Sequence, residues 1–218
     1  MVSGYSNMGP VPVEGGVYRP PMESGAGDPA VRQALDALEA AGLLFVHDTR
    51  RPSITSLVAG TPISGSWWGH PDGKRIFQVL SVLEDQGDVL FVPLLSAKVT
   101  LVHRRLWPAL LGVGMSREPW QMRGLEARAQ KLLDDVERDG RVRATGPSSK
   151  ALARALLVHA EQVHTDRGSH ATELVAWPVV QQAKVIPPPV EPDAGREALE
   201  ACAAGIGALA GLPWKRAR

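Results

Sequence analysis

Apolar residues recur along this chain in short blocks whose period switches between that of a helix and that of a strand, and each switch marks an element. Val31, Leu35, Leu38 and Ala41 fall at helical spacing behind Asp28-Pro29 and stop at Gly42. A capping carboxylate followed by proline is a helix start, and glycine is a helix end. The short strand LLFVH follows, and Ser53 then caps a two-turn helix that ends at Gly60. From Pro71 the spacing predicts a third helix with Ile76, Phe77, Leu80 and Leu83 on its apolar face and Lys74, Gln78, Ser81 and Asp85 on its polar one. Two β-rich runs, DVLFVPLL and KVTLVHR, separated by Ser96-Ala97, close the block as a hairpin. Its alternation sends Leu90, Val92, Leu94, Val99 and Leu101 to the core. His103 continues that row, which predicts a buried, hydrogen-bonded histidine.

The order helix, strand, helix, helix, strand, strand is that of a winged helix, whose third helix and hairpin form the usual nucleic-acid face. A weak internal repeat extends the pattern: ALDALEAAGLLFVHDT is echoed by KLLDDVERDGRVRATG. A helix over 125–139, a strand over 141–145, a helix over 148–157 capped by Ser148 and a hairpin turning at Arg167-Gly168 make a second, abbreviated unit. The expected class is therefore α+β, with tandem winged-helix units at 29–105 and 123–180. A connecting helix and linker at 106–122 joins them. Residues 1–28, rich in Gly, Pro and Ser, read as a flexible, disordered leader. After Ile186 the run PPPVEP reads as a stiff spacer, and the region 181–218 ends in a C-terminal helix over 193–206 and the basic WKRAR.

Charge narrows the functional classes. Lys plus Arg number 24 against 23 Asp plus Glu, so no whole-molecule field draws the chain to polyanions, and any nucleic-acid affinity must come from a local patch. The single cysteine, Cys202, excludes an intramolecular disulfide and a cysteine zinc site and fits a reducing cytoplasm. No signal-like start is present, and the longest apolar stretch, 201–212, is short and glycine-rich, so no membrane association is expected.

Catalytic signatures are missing: there is no Gly-x-Ser-x-Gly elbow, no phosphate-binding glycine loop and no His-Glu-x-x-His. No cofactor is expected. His159, His164 and His170 lie beside Glu161, Asp166 and Glu173, but a turn at 167–168 sends His164 and His170 to opposite faces, which argues against a metal site. Nucleic-acid contact has better material. Lys74, Arg75, Gln78 and Ser81 lie on the third helix, Lys98 at the wing, and Arg104 and Arg105 at the hairpin's end. Lys150, Arg154 and Arg167 are the counterparts in the second unit. Trp67 and Trp68 in GSWWGHPDGKRIF are expected to face opposite ways, one in the core and one free to stack on a base or enter a partner groove.

The stretch from about Pro52 to Trp177 resembles bacterial tandem winged-helix proteins related to the DNA glycosylases that unhook interstrand crosslinks, through PSITSLVAG, GSWWGHPDGKRIF and KVTLVHRRLWPALL. The resemblance implies the architecture and an association with DNA. It does not extend to catalysis, because the family's Gln-aliphatic-Gln or Gln-aliphatic-Asp motif is matched only by Gln86-Gly87-Asp88, with glycine at its centre. Three readings remain open: a DNA-binding, repair-associated protein without catalytic machinery; a protein-interaction module with a protein partner; and a divergent glycosylase.

Overall fold

Asp28 caps the first helix by accepting a 2.8 Å hydrogen bond from the Ala30 N–H, and α1 (Pro29–Ala41) runs to Gly42, whose φ of 78° turns the chain sharply into β1 (Leu43–Phe45). The computed structural model describes residues 27–164 and 170–216, with side chains for all of these except 163, 164 and 170. Ser53 accepts from the Ser56 N–H and starts α2 (Ile54–Ala59), as its position before an apolar run requires. Next come α3 (Gly73–Asp85), β2 (Val89–Leu95) and β3 (Lys98–His103), and the strands form an antiparallel sheet in the order β1-β3-β2. Pro93, which has no N–H to give, sits where the β2–β3 register shifts between Val92 and Leu95. The hairpin turns through Ser96 and Ala97, both at positive φ, and the Ser96 N–H donates to the Gly211 carbonyl at 2.7 Å.

Three expectations about burial fail in this half. The buried stripe of α3 is Gly73, Ile76, Val79 and Leu83, and Phe77 stays 51% exposed. The buried positions 73, 76, 79 and 83 recur at intervals of three and four, and Phe77, about 100° round the helix from Ile76, falls outside that stripe. Val99 is likewise 47% exposed, because the two-residue turn and the shift near Pro93 leave the first residues of β3 outside the alternation. His103 is half-buried rather than buried: its Nδ1 accepts a 3.4 Å hydrogen bond from the Arg105 N–H and caps a 3-10 turn.

α4 (Trp107–Gly114) and α5 (Pro119–Met122) occupy the region expected to be a connecting helix and linker. Every residue of α4 except Pro108 is buried, so it is a core helix. The chain then forms α6 (Ala127–Asp139), β4 (Arg141–Arg143), α7 (Pro147–Arg154), β5 (His159–His164) and β6 (His170–Val175), with sheet order β4-β6-β5. Here α7 starts one residue earlier than Ser148, because Pro147 takes the first helical position. It ends at Arg154, where the backbone turns and passes through Leu156 at φ 57°. The hairpin register pairs His164 with His170, one residue off the pairing that a two-residue turn at 167–168 would give; that turn itself lies outside the described residues. That shift of one residue makes the two histidines direct cross-strand partners.

Three more helices follow: α8 (Trp177–Ala183), α9 (Pro192–Gly205) and α10 (Pro213–Arg216). The sequence pattern gave no expectation of α8. The PPPVEP run is not a free spacer: the Val190 N–H donates to the Pro108 carbonyl at 3.2 Å, and α9 packs along α4. The two halves share one core. Leu43, Leu90 and Leu110 lie in the same buried cluster as Leu156, Trp177 and Leu199, and each half adds a smaller cluster of its own. The molecule is thus of mixed α+β class, with helices outside and between two small antiparallel sheets.

Two unfolding measurements check this packing. Ile76→Ala should cost about 2 to 5 kcal/mol, the range for a buried aliphatic side chain, whereas Phe77→Ala should cost within about 0.5 kcal/mol of nothing; equal losses would place Phe77 in the core. At Gly112 an added Cβ would lie 2.1 Å from the Val190 carbonyl oxygen. Gly112→Ala should therefore destabilise by about 3 kcal/mol or more, at the upper end of overpacking costs.

Candidate functional site

GSWWGHPDGKRIF folds as a 3-10 turn, Trp67–Gly69, leading into α3. Helix α3 begins close against that turn, because a Cβ on Gly73 would lie 3.0 Å from the Trp67 carbonyl oxygen. Trp67 is 8% exposed and Trp68 67%, one inside and one outside as expected. Their rings do not point away from each other, however; the tight turn stacks them, with centroids 4.0 Å apart and planes at 24°. Phe77 stands 6.1 Å from Trp68, centroid to centroid. Buried Trp67, exposed Trp68 and exposed Phe77 form an aromatic step.

This step forms one wall of a groove of about 700 Å³ that runs between the two halves of the molecule. Ser81, Phe91 and Val99 continue the first wall, and His159, Glu161, Gln162 and Lys184 stand on the other. Apolar rings thus face a polar edge with donors and acceptors. A groove of this size, apolar with a few convergent polar groups, is the usual form of a site for a flat organic group.

His159 is the most constrained group in the groove. It is buried, its ring lies 5.7 Å from that of Trp177, and its Nδ1 has no hydrogen-bond partner among the described residues. Its Nε2 is 3.7 Å from Glu161, a carboxylate also held by Arg141 at 3.3 Å. Burial, with the nearby positive charges of Lys184 and Arg141, pushes its pKa down to about 4. At neutral pH the ring is uncharged and presents one nitrogen as donor and one as acceptor.

The residues expected to contact nucleic acid are dispersed. Lys74 and Gln78 are exposed on α3, one and a quarter turns or less from Phe77, and Ser81 lines the groove. Arg75 reaches Asp28 at 3.5 Å. Lys98 is tied to Asp48 at 2.8 Å; burial opposes ionisation of Asp48, but the Lys98 ammonium and the Arg50 and Arg51 N–H groups hold its pKa below the usual carboxylate range. Arg104 pairs with Asp88 at 3.2 Å, and Arg105 donates to the Ala40 carbonyl at 3.2 Å. Lys150 and Arg154 are exposed on α7, and Arg167 lies outside the described residues. With its tip hydrogen-bonded to Gly211 and Lys98 engaged, the first hairpin is not a free wing.

Sequence reasoning missed the exposure of Phe77 and the groove wall of His159, Glu161, Gln162 and Lys184. The alternation of HAEQVH marked a strand but carried no sign of what it would face. Gln86-Gly87-Asp88 lies in the turn after α3 and does not itself line the groove, and Asp88 is engaged by Arg104. Among the described residues no three His, Cys, Asp or Glu side chains converge as a metal site, and no helix is long and apolar enough to cross a membrane. No family model, no curated protein and no solved structure matches the chain.

The depressed His159 pKa has a measurable consequence. Because burial favours the neutral ring, the unfolded chain binds a proton that the folded chain does not between about pH 6.5 and pH 4. Stability should fall by about 3 kcal/mol as pH drops through that window and stay level above it. Unfolding of the wild type and of His159→Gln at several pH values isolates the effect: the variant should lose most of this slope, and an unchanged slope would assign it to carboxylates.

Proposed function

We propose that this chain is a nucleic-acid-binding protein built from two winged-helix-type units, which engages a strand through α3 and stacks an unpaired base on Trp68 and Phe77 at the groove. The element order and the sheet order β1-β3-β2 support the first unit. Helix, strand, helix and hairpin with the order β4-β6-β5 support a shortened second one. The observation that carries the reading is the exposure of Trp68 and Phe77 beside Lys74 and Gln78. An exposed aromatic pair offers a base a stacking surface, the neighbouring cation suits a phosphate, and the amide suits a base edge. DNA is the proposed partner, in keeping with the resemblance of GSWWGHPDGKRIF and its flanks to crosslink-repair proteins, and the role proposed is binding rather than catalysis.

One observation favours a second reading. Trp68, Phe77 and Val99 are all exposed and line the same groove, an apolar surface that would also suit a protein partner. Salt separates the two, since phosphate contacts weaken steeply as salt rises and apolar contacts do not.

The test is fluorescence anisotropy of labelled single-stranded and duplex DNA between about 50 and 200 mM salt. Trp68→Ala should weaken single-strand binding by about 1 to 3 kcal/mol, the range for one stacked base. Lys74→Gln should lower the slope of log affinity against log salt by about 1. No binding to either form at about 50 mM salt would end the nucleic-acid reading.

A further inference from the structure

The polar wall of the groove is rich in hydrogen-bond acceptors and short of donors. His159 and Glu161 stand on β5, the edge strand of the second sheet, and Glu84 adds a second carboxylate from the α3 side. Glu161 is held in place: it lies directly across from Glu173 in the register of β5 and β6, and Arg141 of β4 bridges the two carboxylates at 3.3 and 3.0 Å. That contact engages its Oε2, whereas a carboxylate can accept about four hydrogen bonds. The buried His159 shows the same shortage. With the ring proton on Nε2, which faces the other Glu161 oxygen at 3.7 Å, Nδ1 is an acceptor to which no described group donates.

Donors on this wall are few. Gln162 directs its amide N–H to the Thr172 hydroxyl at 3.1 Å. Lys184, just after α8, is the one lysine or arginine among the described residues that line the groove, and its ammonium lies 5.7 Å from the centre of the Trp107 ring. A phosphate here would meet two carboxylates and be repelled, so the groove suits the ring of a base rather than the backbone that carries it. The bases differ in how they meet a carboxylate beside an ammonium. Guanine presents two adjacent donors, N1–H and the N2 amino group, with the O6 acceptor next to them. Adenine and cytosine set an amino group beside a ring nitrogen whose lone pair a carboxylate repels, and the single N3–H of thymine lies between two carbonyls. Guanine alone offers a carboxylate two parallel donors and an ammonium an acceptor from one edge.

We infer that the groove binds guanine in preference to the other bases, its ring stacked on Trp68 and Phe77, its N1–H and N2–H donated to Glu161 and its O6 accepting from Lys184. That the base belongs to a strand rests on the function proposed above; the choice of guanine rests on Glu161 and Lys184. A free nucleoside carries the same edge, and the measurements below separate the two sources.

The test uses the full chain and short labelled oligonucleotides of thymidine with one central dG, dA, dC or deoxyinosine, read by fluorescence anisotropy. The dG strand should bind about tenfold more tightly than the all-thymidine strand, as expected for one bidentate base contact. Deoxyinosine, which lacks only the N2 amino group, should lose most of that gain. Glu161→Gln, with an unchanged melting temperature, should reduce the preference to less than about twofold and leave binding of the all-thymidine strand as it was. If the wild type binds every strand alike, the guanine inference is wrong and the proposed function stands. A dG preference that survives both deoxyinosine and Glu161→Gln also overturns it, because Glu161 is then not the reader. Guanosine, adenosine, cytidine and thymidine are titrated separately, with the Trp68 indole N–H resonance as the readout. If guanosine shifts that resonance ahead of the other three but no oligonucleotide binds, the guanine site stands and the proposed function falls. No response to any nucleoside or oligonucleotide overturns both.

Discussion

The close approach of backbone to α4 is the constraint on which the other contacts depend. Gly112 leaves room for the Val190 carbonyl, Gly114 for the Trp177 indole, and on the facing helix Gly195 leaves room for the Ala109 carbonyl, each at a distance that a Cβ would close. A short apolar helix can therefore be enclosed on several sides at once, by the first sheet, by α8 and by α9. Trp177 fills the space beside Gly114, which seats the second half on α4, and its indole N–H donates to the Leu156 carbonyl at 2.7 Å within that half. The two sequence blocks are in consequence one folded body with a continuous core. The groove between them is the open edge of that junction.

Electrostatics follow from the same closeness. With nearly equal numbers of cations and carboxylates, most arginines of the chain find partners within the molecule, and Lys98 and Arg104 are held by Asp48 and Asp88. Exposed pairs of this kind contribute little to stability, but they lower the positive field that a polyanion would meet. What stays open is local: Lys74 and Gln78 beside two exposed aromatic rings. The hairpin tip, hydrogen-bonded to Gly211, is closed by the C-terminal segment. On the function proposed above, contact with a strand falls to α3 and the groove rather than to the wing.

Much of the local structure could be read in advance, and the reason is that local forces decide it. Asp28-Pro29, Ser53, Gly42 and Gly60 set helix ends through hydrogen bonds and backbone preferences that involve only neighbours in sequence. The alternation of DVLFVPLL and KVTLVHR set the first hairpin in the same way. The candidate site was only half legible. That one of the two tryptophans would be buried and the other exposed followed from their adjacency, but which of them, their stacking and the company of Phe77 depended on a 3-10 turn that no spacing announced.

The sequence by itself determined the α+β class, the ends of α1 and α2 and the pairing of β2 with β3, since these need only the few residues on either side. The tertiary structure alone decided which of Ile76 and Phe77 is buried, that the expected connecting helix α4 is buried in the core, and that the expected spacer PPPVEP packs against α4. It also brought His159, Glu161 and Lys184 opposite Trp68. Such placements join residues far apart along the chain, and they are set by how volumes fill space around Gly112 and Gly114, which periodicity does not encode.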